Sequence, residues 1–325
     1  MPLEIETPSI DGRRDDSIVV GLINNMPDAA LTATEQQFAS LLAAASGPRR
    51  VRLRLSHIAQ MPREPQSLER FAQYYWPLEA LLAGPLDAII VTGTEPRAAA
   101  LGEEPYWEPL CELLDWVQDK ALSSIWSCLA AHAAVQALDG ICRRRLPEKR
   151  FGVFHHTVTS DTPLLKAVSA PLLTPHSRWN ELVPEELRDA GYTLASSSPD
   201  SGADVFLRED RGLFICFQGH PEYESTTLLK EYRRDVGRFL RGEREGWPSP
   251  PAGYLTREAL EQLTAFRTRA EGSGDPELLE QFPKIEPGSG IQVNWRHNAV
   301  QIYSNWLAHL ADTRTAARCR ASVQV

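Results

Sequence analysis

The chain has 325 residues, 42% hydrophobic and 24% charged, enough apolar material for a sizeable core and too much for a disordered segment. A formal net charge of −9 and a pI near 5.5 argue against a nucleic-acid partner, which calls for a basic face. No apolar run is long enough to cross a bilayer and residues 1–16 carry no signal-type apolar stretch, so a cytoplasmic protein without membrane contact is expected.

Residues 1–16 read as a polar lead-in, and 17–23 (SIVVGLI) as a buried strand. A helix is expected over 32–45, a strand over 51–58, an amphipathic helix over 68–82 and a continuously apolar strand over 86–92 that ends in Gly93. A helix over 107–120 leads to a fourth strand, which runs into Cys128. This alternation predicts an α/β fold, a mostly parallel sheet flanked by helices, with its ligand site beyond the carboxyl ends of the strands. Downstream, 152–158, 192–197, 203–208 and 213–218 read as strands extending the sheet in partly antiparallel fashion, and 222–241 as a long helix. The Pro- and Gly-rich punctuation of 244–290 marks a helical surface insertion. A final helix over 299–311 precedes a tail, 313–325, so that 17–312 forms one domain.

Five cysteines (111, 128, 142, 216 and 319) are scattered without a C-x-x-C pair, which fits reduced thiols rather than a disulfide or zinc scaffold. Cys142 and Cys216 sit among apolar residues and read as core. Cys128 differs: in SSIWSCLAAHAAV it stands where a strand turns into an Ala-rich helix, and the helix amides and macrodipole at that corner favour a negative sulfur. A small buried core residue is the other reading of the same position. The second anchor is GLFICFQGHPEYE, an apolar strand that ends in Gly219 and is followed by His220, Pro221 and Glu222. A histidine at a strand end can take a proton from a thiol, and a carboxylate two residues on can fix its far ring nitrogen. Pro221 and Glu222 are also ordinary at a helix start. His132, one turn beyond Cys128, reads as a core residue. His155, His156 and His176 lack an accompanying carboxylate motif, so no metal and no cofactor are expected.

Cys128, His220 and Glu222 follow the chain order of class I glutamine amidotransferase triads, without the glycine those enzymes carry two residues after the nucleophile, where this chain has Ala130. More closely, the chain resembles the homoserine O-succinyltransferase type of homoserine O-acyltransferase. The resemblance lies in NNMPDAALTATEQQF, IIVTGTEP, SCLAAHAAVQALDGI, EKRFGVFHH, TPHSRW, GHPEYESTTLLKEYRRDV and NWRHNAVQIYSNWL. It implies a class I glutamine amidotransferase-like (flavodoxin-like) fold, a cytoplasmic homodimer, and ping-pong transfer of an acyl group from acyl-CoA to L-homoserine in methionine biosynthesis. By the same resemblance Cys128 is the acylated nucleophile, His220 the general base and acid, and Glu222 its orienting carboxylate. Lys149 lies near the acyl site, Ser177 and Arg178 in the P-H-S-R segment, and Tyr223, Glu231 and Arg234 around the amino acid. Spacing alone leaves Glu231 and Arg234 open as a salt bridge on a solvated helix face. Backbone amides of Leu129 and of the Gly93–Thr94 turn are the expected oxyanion donors.

Three departures stand out. The M-P loop continues with Asp28 rather than a lysine pair, the T-G turn reads Thr94–Glu95–Pro96–Arg97, and 244–290 is long. Arg97 offers a partner for a succinyl carboxylate, which favours succinyl over acetyl, whereas Glu95 would repel it. An acyltransferase for another hydroxy amino acid such as serine, and a glutaminase-like cysteine hydrolase, are the alternatives.

Overall fold

The computed structural model describes residues 3–8, 16–120, 122–273, 275–291 and 294–323. In chain order the elements are β1 (Leu3–Glu6), β2 (Ile18–Ile23), α1 (Asp28–Ala45), β3 (Val51–Ser56), α2 (Pro65–Tyr74), α3 (Leu78–Ala83), β4 (Ala88–Val91), α4 (Trp107–Asp119), β5 (Ser123–Ser127) and α5 (Leu129–Asp139). They continue with β6 (Arg144–Val158), β7 (Leu172–Glu181), α6 (Pro184–Asp189), β8 (Thr193–Leu194), β9 (Ser196–Ser198), β10 (Gly202–Ala203), β11 (Val205–Glu209), β12 (Leu213–Phe217), α7 (Thr227–Leu240), α8 (Arg257–Ser273) and α9 (Arg296–Val323).

The main sheet has the order β1-β3-β2-β4-β5-β12-β11-β8, parallel as far as β12 and antiparallel beyond it. Because successive side chains of a strand point to opposite faces, each strand feeds two cores. Ile18, Val20 and Leu22 of β2, Ile90 of β4 and Ile125 of β5 pack with α1 and α9. Ile89 and Val91 of β4 and Trp126 of β5 pack with α4 and α5. This is the expected helix-flanked, mostly parallel sheet. Trp306 of α9 is fully buried and donates from Nε1 to Ser123 Oγ at 2.9 Å. Among the described residues no helix is long and apolar enough to cross a membrane.

Several elements differ from the sequence reading. Within the stretch read as a polar lead-in, Leu3–Glu6 forms an edge strand parallel to β3. Glu6 is buried there and accepts from Arg54 Nε at 3.1 Å, a pairing local polarity does not reveal. Residues 1–2 and 9–15 of the lead-in, and 324–325 of the tail, lie outside the described residues. The helix expected over 68–82 is two helices, because Pro77 disfavours helical backbone at Trp76; Tyr75 instead bridges to Leu55. The last helix continues well past 311, to Val323. The downstream strands do not all join the main sheet: β10-β9-β6-β7 form a second, antiparallel sheet. The stretch 244–290, read as a surface insertion, has a buried face. Ala259, Leu263 and Phe266 of α8, with Phe282 and Ile285, pack against Tyr232, Val236 and Leu240 of α7 in a third apolar cluster. Cys142, read as core, is exposed on the loop that follows the left-handed Gly140 cap of α5. Cys216 is buried, and burial alone pushes its thiol pKa up.

Candidate active site

The parallel strands end nearly level: Ile23 pairs with Val91, Val91 with Trp126, and Ser127 with Phe217. Gly93, Cys128 and the Gly219–His220 segment therefore leave neighbouring strands at the same edge, the carboxyl edge where an α/β sheet offers its crevice.

Cys128 sits between β5 and α5 with φ +52° and ψ −111°, a backbone conformation that a residue with a Cβ rarely adopts. Two bonds hold it there. Its N–H donates to the Phe217 carbonyl at 2.7 Å, and its own carbonyl accepts from the His132 N–H at 3.2 Å to open the helix. The sharp turn lifts the thiol off the sheet edge, so Cys128 is half-buried rather than sunk in the core. Leu129 is the first residue of α5, where an amide has no partner within the helix. Gly93 lies directly against that amide: a Cβ on Gly93 would stand 3.0 Å from Leu129 N. The Gly93 carbonyl accepts from Thr92 Oγ1 at 3.0 Å, and Thr92 Oγ1 accepts from Asn25 N at 2.8 Å. In a trans peptide this fixes the Thr94 N–H in the opposite direction to that carbonyl.

His220 Nδ1 donates to Glu222 Oε1 at 2.8 Å, which leaves Nε2 for the Cys128 side, and the charge of Cys128 acts on the ring. Burial works against the charged imidazole, but Glu222 and Cys128 outweigh it and hold the His220 pKa well above the ordinary histidine range. Glu222 is buried and also accepts from Ser127 Oγ at 3.5 Å. The expected helix start is displaced by this arrangement: residues 222–226 form a turn, and α7 begins only at Thr227. The structure thus brings the three predicted triad residues together.

Tyr223 stacks on the His220 ring at 4.3 Å and donates to Glu231 Oε1 at 2.6 Å. Ser177 Oγ donates to Glu231 Oε2 at 2.5 Å, and Lys149 Nζ lies 3.6 Å from the same carboxylate. Arg234 is not simply the ion-pair partner of Glu231, which is 3.9 Å away; it donates to Asp235 Oδ1 from Nη2 at 3.0 Å and from Nε at 3.1 Å. Lys149 Nζ donates to the other oxygen of Asp235 at 3.3 Å. Burial alone would raise the Asp235 carboxyl, but Lys149 and Arg234 hold it below the usual carboxylate range. Asp235, which sequence reasoning missed, bridges the two predicted cations.

Arg178 is almost fully buried and occupied: Nε donates to His176 Nδ1 at 3.3 Å, Nη1 to the Asn180 carbonyl at 2.7 Å, and Nη2 to the Ser201 carbonyl. Burial depresses its pKa, opposed first by the Cys128 charge. Arg97 is not gathered into this cluster. Its side chain is exposed, and its N–H donates to Glu104 Oε1 at 2.6 Å.

A second set of missed residues braces His220. Its N–H donates to the Pro175 carbonyl at 2.8 Å, and the Gly219 N–H to Asp204 Oδ1 at 3.0 Å, while Thr174 Oγ1 fills Asp204 Oδ2 at 2.8 Å. A Cβ on Gly219 would stand 2.5 Å from Thr174 Cγ2, so only glycine fits. Gln218 accepts from His132 Nε2 at 3.0 Å; burial pushes the His132 pKa down to about 3, so the ring is neutral. On the other side of the loop, Trp295 Nε1 donates to the Tyr223 carbonyl at 2.8 Å. Sequence alone carries little signal for these bonds, because the partners lie far along the chain.

His156, His176 and Asp204 place possible metal ligands within 4.8 Å of one another. Their protons are already assigned by the hydrogen bonds. Arg178 donates to His176 Nδ1, so His176 Nε2 carries the ring proton and directs it at His156 Nε2 at 3.2 Å, with Ser201 Oγ 2.8 Å from the same His156 nitrogen. His176 then offers no lone pair to a cation, and the cluster does not fit a metal site.

The family model described as homoserine O-succinyltransferase matches residues 10–317. A homoserine O-succinyltransferase of Rhodopseudomonas palustris is 45% identical over 294 residues, 90% of this chain and 88% of the relative. Another from Methylorubrum extorquens is 42% identical, covering 90% of this chain and 87% of the relative. Among solved structures, a glutamine amido transferase from Methylobacillus flagellatus superposes with a TM-score of 0.51 at 12% identity, over 90% of this chain and 94% of that one. That likeness concerns the fold. With matches of this length and identity, the chain belongs to the homoserine O-succinyltransferase family.

Proposed function

We propose that the protein is a homoserine O-acyltransferase of methionine biosynthesis that moves an acyl group, succinyl rather than acetyl, from acyl-CoA to the hydroxyl of L-homoserine through an acyl-Cys128 intermediate. The observation that carries this reading is the Cys128–His220–Glu222 arrangement, with the Glu231 carboxylate and the Arg234 guanidinium beside it.

In the first half-reaction the proton shared between Cys128 and His220 lies on His220, and the Cys128 sulfur attacks the thioester carbon. The oxyanion meets the Leu129 amide and the Gly93–Thr94 turn. The intermediate collapses as the C–S bond to CoA breaks, and the departing thiolate takes the proton from His220. The acylated sulfur no longer carries charge, so one of the groups that held His220 protonated is gone and the ring is free to act as a base. It takes the homoserine hydroxyl proton, the alkoxide attacks the acyl carbon, and the Cys128 thiolate leaves. Thioester exchange is nearly balanced in energy, which makes positioning and exclusion of water the enzyme's main work.

The amino acid is a zwitterion, and the pocket offers both signs. Glu231, accepting from Tyr223 and Ser177, suits the ammonium; Arg234, with Lys149 near it, suits the carboxylate. Product formation from succinyl-CoA or acetyl-CoA with homoserine, with serine, and ammonia release from glutamine, separate the readings. Acyl-homoserine and no ammonia is the expected result. Ammonia without acyl transfer would replace the transferase by a hydrolase, and transfer to serine in preference would change the acceptor.

A further inference from the structure

Arg150 and Arg178 stand directly opposite each other in the β6–β7 ladder. Like charges in that relation destabilise a sheet unless something negative lies between or beside them. Arg178 spends its donors on carbonyls and His176, but Arg150 is different: it is half-buried, its Nε is shielded and unpartnered, and its side chain makes no hydrogen bond or ion pair among the described residues. The neighbouring Lys149, by contrast, meets Glu231 and Asp235.

Strand alternation puts Arg150 and His156 on one face of β6, with Thr174, His176 and Arg178 on the same face of β7. Contact between His156 and His176, and the close approach of Thr174 and His176 to Gly219, show that this face packs on the segment carrying His220. Lys149 and Ser177 serve the amino-acid pocket around Glu231. The two arginines therefore share the face that packs on the His220 segment, not the face that serves the Glu231 pocket.

We infer that Arg150, with Arg178 opposite, forms a subsite for the distal carboxylate of a dicarboxylic acyl group carried to Cys128. This rests on the acyl-transfer reading above. A planar guanidinium suits a carboxylate, and a short acyl chain is the part of the donor that must lie next to Cys128. The CoA phosphates, at the far end of the pantetheine arm, are held away from this position. Arg150 would thereby fill the role that the sequence suggests for the exposed Arg97.

The test is single-turnover acylation of the full-length protein by succinyl-CoA and by acetyl-CoA, read as intact mass, for the wild type, Arg150→Gln, Arg150→Lys and Arg97→Ala. Acylation of the wild type is read first: no labelling by any acyl-CoA would defeat the acyl-transfer reading itself. Given labelling, Arg150→Gln lowers the succinyl-to-acetyl rate ratio about tenfold or more, and Arg150→Lys restores part of it. The thermal midpoint of Arg150→Gln is unchanged or raised, since a repelling charge is removed; a merely structural arginine would give a lower midpoint and an unchanged ratio. An equal loss with both donors would put the anion on CoA, and a ratio that falls in Arg97→Ala but not in Arg150→Gln would put the subsite on the other loop. Either result, or a wild type labelled only by acetyl-CoA, overturns the inference.

Discussion

His220 Nδ1 lies 2.8 Å from Glu222 Oε1 in a buried site, and this contact decides which ring nitrogen faces Cys128. Replacing the carboxylate by an amide in Glu222→Gln keeps the shape but removes the first attractive charge acting on the imidazole. Cys128 acylation is expected to slow about 100-fold or more, and alkylation of Cys128 by iodoacetamide should titrate at lower pH for its His220-dependent component. An unchanged alkylation profile would mean that Glu222 does not set the His220 charge.

The raised His220 pKa also makes a stability prediction with a definite sign. The folded state binds this proton more tightly than the unfolded chain does. Its contribution is therefore fully present below the unfolded histidine value of about 6.5 and is lost as pH rises through the higher folded value. The stability difference between the wild type and His220→Asn, measured by urea denaturation from neutral pH upward, should shrink with increasing pH. A difference that grows would reverse the assignment of the charged pair.

Gly93→Ala probes the oxyanion turn. The added Cβ would sit 3.0 Å from Leu129 N and 3.2 Å from the Ser127 carbonyl, crowding the amide that is to receive the oxyanion. A loss of about 100-fold or more in the acylation rate is expected, since one such donor contributes about that much. Wild-type acylation rates in a folded Gly93→Ala protein would remove Leu129 from the mechanism.

The parts of this molecule that were legible in sequence are those where chemistry and local backbone coincide. A strand running into Cys128 and then an Ala-rich helix can only turn sharply there, and the strand-Gly219-His220-Pro221-Glu222 succession places a base at the neighbouring strand end. What stayed hidden depends on distant partners. Asp204 looks like any loop aspartate until it is seen to accept from the Gly219 N–H and the Thr174 hydroxyl. Asp235 looks like the next residue along a charged helix until Lys149 and Arg234 are seen on either side of it. The helix start was misplaced for a related reason: Glu222 has the composition of a first turn, but its carboxylate is engaged by His220, and regular helix waits until Thr227.

Glu231 separates the two half-reactions. It accepts from Tyr223 and Ser177 and makes no hydrogen bond to Cys128 or His220, so it belongs with the acceptor. Glu231→Gln should leave acylation of Cys128 nearly intact while raising the homoserine KM about 10-fold or more, the cost of a charge-assisted hydrogen bond. Stopped-flow acylation and steady-state kinetics check the two halves separately. Slowed acylation with an unaltered homoserine KM would assign Glu231 to the donor side instead.

The most direct test of the account is the intact mass of the protein after brief mixing with succinyl-CoA alone, followed by peptide mapping and then by addition of homoserine. The account predicts a gain of one succinyl group, located on Cys128, absent in Cys128→Ser and discharged by homoserine. Turnover without any acylated protein, or with the label on a residue other than Cys128, would contradict it.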